Sequence, residues 1–361
     1  MIFNKNELIQ YLKNCYRKLK NYIHFSNNLE YVKVDIVEFE YDHAKFEKAF
    51  DALADALINE DNNYFDILIK QTKVRVFAKS FKDNNEETYV ISNTKNEDIV
   101  VSKVNFFINV PVELLIIDTL WSILYGRVLD SSYDYERFCY ANKIHHDLYR
   151  KVNSANPLKF INFKSLCLFE QYYPQYTKWK NDAINAAKSC HSKDFLNVDV
   201  SIVCFDFSKY YYSINIDFSK IKKQMNGSSP SLSSFDYLTK LIEKLYSNYS
   251  ALLRQYDRSV GDEQIIAPIG LISSALITNG YLLDFDSSIE ANPNVISYGR
   301  YVDDVLIVLK DIGFDSFEEL VNKHFSNQFE IKDNKFYLKG FDKVNIQKEK
   351  NYNPLSKYPN F

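Results

Sequence analysis

Three aspartates stand where carboxylates can hold divalent cations. In the segment Tyr298-Gly-Arg-Tyr-Val-Asp-Asp-Val-Leu-Ile-Val-Leu309, Asp303 and Asp304 separate a β-prone run from an apolar one. Both flanks read as strands, which puts the two acids at or near the turn of a hairpin. Adjacent carboxylates there offer oxygen ligands to a hard cation such as Mg²⁺. Asp is also a preferred turn residue, so the pair alone does not define a site. Asp206 lies near the end of the apolar run that includes Val203-Cys-Phe-Asp206. A carboxylate there is costly unless it is paired, metal-bound or capping the next helix. Three carboxylates on adjacent strand ends suffice for two cations about 4 Å apart, the arrangement that drives in-line phosphoryl transfer from a nucleotide to a hydroxyl.

The elements that must position these acids follow from periodicity. Helices are expected over 4–23, 43–70, 111–129, 163–189, 235–256, 270–289 and 315–327. The fourth stretch carries Trp179 and several tyrosines, and the third is strongly apolar and ends near Gly126. Strands are expected over 31–39, 73–79 and 198–207, in the central hairpin, and as short pieces within 328–349. Residues 83–97 and 225–234 read as loops. The order β-α-α-β-β-α-β in the second half suits an α+β layer, an antiparallel sheet with helices on one face. Lys13, Arg17, Lys18 and Lys20 lie off the apolar stripe of the first helix and read as a solvated face.

Composition narrows the field. The chain has 361 residues, enough for two or three subdomains, and 46% hydrophobic with 25% charged residues is ordinary for a soluble globular protein. No run approaches the ~20 apolar residues of a membrane span, and no secretory signal opens the chain, so a cytoplasmic protein without membrane contact is expected. Five scattered cysteines lack metal-ligand spacing and read as reduced, mostly buried thiols. A net charge of −3 means that any nucleic acid must meet a local patch. Lys73-Val-Arg-Val-Phe-Ala-Lys79 alternates with period two and puts Lys73, Arg75 and Lys79 on one strand face. Arg137 and Lys143, in the aromatic and basic stretch 131–160, are further candidates. The adjacent His145 and His146 read as surface or hydrogen-bonding residues.

Four segments then make a pattern. Asp206-Phe-Ser-Lys-Tyr-Tyr211 resembles motif A of reverse transcriptases, with aromatics four and five residues after the acid. Ala267-Pro-Ile-Gly-Leu-Ile-Ser-Ser-Ala-Leu276 resembles motif B, Tyr301-Val-Asp-Asp304 their Tyr-x-Asp-Asp motif C, and Phe329-Glu-Ile-Lys-Asp-Asn-Lys335 motif D. They occur in the family's order across about 160–349. Upstream, Val110-Pro-Val-Glu-Leu-Leu115, Cys139-Tyr-Ala-Asn-Lys-Ile144 and Tyr173-Pro-Gln-Tyr-Thr-Lys-Trp179 are similar to the fingers of bacterial defence-associated reverse transcriptases, of the unknown-group and abortive-infection branch. The resemblance implies an N-terminal region or fingers extension over 1–110, fingers over 111–197, a palm over 198–349 and a tail or truncated linker over 350–361. The thumb expected after the palm is absent from this chain, which implies a further C-terminal helical domain or a second subunit, such as a homo-oligomer partner.

The resemblance also implies roles. Asp206, Asp303 and Asp304 would ligate Mg²⁺, or Mn²⁺ in its place, with the carbonyl of Phe207. Tyr211 would sit beneath the incoming sugar and favour dNTPs by rejecting a 2′-hydroxyl. Pro268 and Gly270 would bring backbone close to the nucleotide, and Ser274 would face it. Lys335 would approach the triphosphate as a general acid, with Lys339 and Lys343 competing for that place. Ile269 replaces the Gln common before the motif B glycine, so template positioning would differ. The implied activity is RNA-directed or untemplated DNA synthesis on an RNA or DNA primer, or from a protein tyrosine, in phage defence against an unidentified trigger. A non-catalytic nucleic-acid or phage sensor on a polymerase scaffold and a palm-type RNA polymerase are the competing readings.

Overall fold

Several helices begin where the sequence supplies a capping side chain. In the computed structural model, which describes residues 4–26, 29–81, 101–152, 154, 156–192, 200–228, 235–310, 314, 316–333 and 335–346, α1 (Lys5–Phe25) starts on Asn4, whose side chain accepts the Asn6 amide at 2.9 Å. It buries Leu8, Leu12, Cys15 and Leu19 as one stripe. Its basic residues are not all solvated. Lys13 and Lys20 pair with Glu47 and Glu40, each at 2.6 Å. Lys18 is fully buried and donates to the carbonyls of Asn162 and Ser165. Burial pushes its ammonium down to about 8.

Residues 31–39, expected as a strand, are instead part of helix α2 (Glu30–Tyr41). Val32 and Ile36, one turn apart, are buried while Val34 and Val37 are exposed. Packing against α1 and α3 (His43–Ile58) has overridden β propensity. The long helix expected over 43–70 is split into α3 and α4 (Asn62–Ile69), each capped by the aspartate before it, Asp42 and Asp61.

Strands β1 (Lys73–Phe81) and β2 (Val101–Asn109) pair antiparallel from Lys73↔Asn109 to Phe81↔Val101. The expected loop at 83–97 lies outside the described residues, as does the tail 350–361; of the loop expected over 225–234, residues 225–228 are instead the end of a helix and 229–234 lie outside the described residues. Helix α5 (Val112–Asp130) is buried almost all round and runs past its expected end at Gly126. That glycine serves packing: a Cβ there would sit 2.8 Å from Ile144 Cδ1. After α6 (Tyr133–Phe138), α7 (Tyr172–Ser192) begins well after Phe163.

The second half holds two more antiparallel sheets, so the described residues form an α+β architecture with three small sheets. The first is β3 (Ser201–Asp206), β5 (Asp304–Leu309) and β4 (Val295–Tyr301), in that spatial order. The second is β6 (Phe329–Lys332), β7 (Lys335–Leu338) and β8 (Asn345–Ile346). A bridge at Phe207↔Ile346 joins them. Between lie α8 (Tyr210–Ser213), α9 (Phe218–Ser228), α10 (Asp236–Leu253), α11 (Ile272–Tyr281) and α12 (Leu283–Glu290). The single helix expected over 270–289 breaks at Leu282. The helix expected over 315–327 is α13 (Phe317–Leu320) followed by a π-turn to Phe325.

Helices cover both faces of the β3-β5-β4 sheet, not one. Alternation explains this: Gly299 and Tyr301 face α7, whereas Tyr298 and Arg300 face Asp286 of α12. All five cysteines are free, but Cys15 and Cys139 alone are buried and Cys204 is exposed. Among the described residues no helix is long and apolar enough to cross a membrane.

One long-range cap ties the halves together. Leu271, before α11, offers no side-chain cap. Asp118 of α5 replaces it, accepting the amides of Ile272 at 2.8 Å and Ser273 at 3.3 Å through one oxygen. Its other oxygen is buried without a partner, and burial pushes the carboxyl up to about 6, against those hydrogen bonds. A raised acid pKa favours the folded state when protonated, so this contribution fades as pH rises from the unfolded value of about 3.9 through 6. Asp118→Ala should therefore destabilise more at pH 5 than at pH 8, by about 1–2 kcal/mol of difference. Urea unfolding of both proteins at the two pH values measures it, and equal losses would exclude the linkage.

Candidate metal and nucleotide site

The acids are brought together by strand register. Asp206, the last residue of β3, is the direct cross-strand partner of Asp304, the first residue of β5, and Tyr301 pairs with Asp304 from the other side. Directly opposed residues point to the same face, so Asp206, Asp304 and Tyr301 share one surface. Asp303 occupies the two-residue turn between β4 and β5, and its carbonyl accepts the Phe207 amide at 3.3 Å. Burial pushes the Asp303 carboxyl up to about 6. The charges of Asp304 and Asp206 act in the same direction, and Lys79 of β1 opposes them. The three acids thus feel one another, but they are not drawn into a tight cage. Among the described residues the group with ligating atoms all within 4.8 Å is His145, His146 and Asp147.

The turn itself is strained. Val302 has φ +61, while Asp303 is not in the left-handed region. A positive φ at the first turn residue is the type II′ pattern, where glycine is normal and a β-branched side chain is an outlier. What holds it is Arg300, which is fully buried. Its guanidinium donates to both oxygens of Asp286 at 2.8–3.0 Å, to the Asn279 side chain and carbonyl at 2.7 Å, and to the Val302 carbonyl at 3.2 Å. Tyr298 adds a 2.6 Å bond to Asp286. Burial would favour the neutral guanidine, but Asp286 and the groups around it outweigh that and keep Arg300 charged.

The expected nucleotide residues fall into two groups. Tyr211 is half-buried, and burial raises its phenol, opposed by a hydrogen bond with Thr278 and helped by the Asp303 charge. Its carbonyl accepts the Ala267 amide at 3.0 Å, which ties the motif A-like and motif B-like segments together. Gly270 has φ +116, and a Cβ there would lie 2.9 Å from the Tyr31 hydroxyl. The Ile108 amide donates to the Ile269 carbonyl at 2.9 Å. The close approach that requires glycine is therefore to α2 and β2, within the protein. Pro268 is buried beside it. Ser274 does not face a ligand: it is buried, and its hydroxyl bonds Tyr246 at 2.9 Å.

The cations also divide. Lys335 is exposed at the head of β7, opposite Lys332, while the cation felt by Asp303 is Lys79. Lys339 and Lys343 donate to the carbonyls of Ser326 and Ser259. Lys73 and Arg75 are exposed on β1, with Arg75 over the Tyr31 ring at 5.8 Å. Arg137 is exposed, but it is paired with Glu290 and lies against the rings of Tyr133 and Phe138. Lys143 is half-buried and donates to the Glu136 carbonyl at 2.9 Å. His145 and His146 stack at 4.3 Å, and His146 Nδ1 lies 2.8 Å from Glu170.

Sequence reasoning missed Arg300, Asp286 and Asp118. A signal existed for Asp118, an acid in the middle of a helix whose central turns are otherwise almost wholly apolar. Asp286 carried no comparable mark. No protein-family model matches this chain, and comparison with curated proteins finds no match.

Removing Asp286 leaves a buried, unpaired guanidinium. Asp286→Ala should lower the unfolding free energy by about 3–5 kcal/mol, whereas Asp286→Leu combined with Arg300→Met should lose much less. Chemical denaturation separates the two, and a small loss in the single variant would show that the pair is solvated.

Proposed function

We propose that this chain is a metal-dependent nucleotidyltransferase of reverse-transcriptase type, adding dNTPs to a DNA end through Asp206, Asp303 and Asp304. The observation that carries the reading is the register that sets Asp206 directly opposite Asp304, with Asp303 at the adjoining turn. Stability does not explain it, because like charges directly opposed weaken a sheet. The Asp303 carboxyl is raised first by burial and further by the charges of Asp304 and Asp206. A divalent cation bound there would weaken the repulsion among the three carboxylates, and the donors are the hard oxygens that Mg²⁺ or Mn²⁺ prefers. The fingers and palm assignment, phage defence, and priming by nucleic acid or protein rest on the motif resemblance.

The bound cations would supply Lewis-acid stabilisation of the transferring phosphoryl group. The chain's own residues do the rest. Asp206 and Asp304 fix the ligand positions from two paired strands, and the braced turn holds Asp303 beside them. Lys79 of β1 supplies a cation whose charge acts on Asp303. Tyr211 closes the floor next to Asp303, where a ribose 2′-hydroxyl would collide with its ring.

Two measurements test this. Asp303→Asn should reduce Mg²⁺-dependent incorporation of labelled dNTPs by about 10²-fold or more while melting no lower than the wild type. Near-normal incorporation would overturn the assignment. Tyr211→Ala should admit rNTPs, read as a fall in the dNTP/rNTP ratio of kcat/KM, and an unchanged ratio would remove Tyr211 from the sugar site.

A further inference from the structure

Tyrosines crowd the face of the sheet that carries the acids. Tyr301, directly opposite Asp304, is met edge-on by Tyr172 and Tyr176, both with ring centroids at 5.2 Å, and obliquely by Trp179 at 5.9 Å. All three lie on the first two turns of α7. Packing accounts for Trp179, which is buried, and largely for Tyr176. It does not account for Tyr172 and Tyr173, which are 55% and 79% exposed. Large apolar rings left in water beside a polar site are a binding surface more often than a packing one.

The arrangement is ordered. Tyr172 and Tyr176 stack in parallel, 5.7 Å between centroids and 9° between planes. Lys180, one turn further on, sits 4.5 Å from the Tyr176 centroid. Residues 172, 176 and 180 are spaced i, i+4, i+8, so rings and ammonium form one column along the helix. Tyr173 stands perpendicular to Tyr172, with ring centroids 5.3 Å apart.

We infer that the N-terminal turns of α7 are a stacking platform for the bases of single-stranded nucleic acid, laid along the face that carries Asp206 and Asp304. This rests on the nucleotidyltransferase reading for its purpose, not for its binding. A base has the flat π face that extends such a column, and Lys180 supplies charge for the phosphate path. Stacking is tolerant of sequence, which suits a chain whose overall charge of −3 gives no broad electrostatic grip. A strand held here runs beside Tyr301 and ends at the carboxylates.

The test is fluorescence anisotropy of a 5′-labelled single-stranded oligonucleotide with the full chain in EDTA, so that no metal chemistry enters. Tyr172→Ala and Tyr173→Ala should each weaken binding about tenfold or more, Tyr172→Phe should bind like the wild type, and duplex DNA of the same sequence should bind less tightly. Both rings are exposed, and a thermal melt checks that the variants remain folded. Wild-type affinity in the alanine variants, loss of binding in Tyr172→Phe, or equal affinity for duplex would each overturn the platform. Because incorporation is not measured, an intact platform with no polymerase activity would sink the catalytic reading alone, and the reverse result the platform alone.

Discussion

Arg300 and Asp286 face each other in the dry space between the hairpin and α12, and the geometry of the acidic site depends on that contact. A guanidinium taken out of water must find partners for all its donors. Here they are the Asp286 carboxylate, both oxygens of Asn279, and the carbonyl of Val302. The last of these makes the pair more than a core feature. Val302 is where the backbone turns with a left-handed φ that valine resists, and the bond to its carbonyl holds the turn in that conformation. The charge in the core thus fixes the direction in which Asp303 and Asp304 leave the sheet.

The same region contains two features that folding alone would discard: opposed carboxylates at Asp206 and Asp304, and a valine in a glycine conformation. Local rules broken together at one place, with a buried network built to sustain them, are the pattern of a functional site. The surrounding elements follow conventional rules. Helices start on Asn4, Asp42 and Asp61, β1 and β2 pair in register from Lys73 to Ala78, and glycines appear where Ile144 or Tyr31 press against backbone.

Much of this was legible in the sequence. The hairpin, its two acids, the strand ending at Asp206 and the apolar helix α5 all have strong periodicity or composition, and the structure has them. Residues 31–39 misled because Val and Ile at alternate positions favour a strand locally, and only α1 and α3 make the 3.6-residue spacing of Val32 and Ile36 the one that counts. Lys18 was read as solvated, although carbonyls far along the chain take it inside. Arg137, Lys143 and Ser274 have the right chemistry for ligands but found partners within the protein, and partners distant in sequence leave no local trace. Asp286 was invisible for the same reason.

The cap that Asp118 lends to α11 spans a separation of 154 residues. A helix whose first amides are capped by a carboxylate on another helix gains that stabilisation only once the two helices have packed. During synthesis α5 is made long before α11, so α11 joins a helix that already presents its acceptor. The motif B-like segment therefore settles only after the two halves of the chain have docked, and mistakes in that docking would show first as fraying at Leu271 and Ile272.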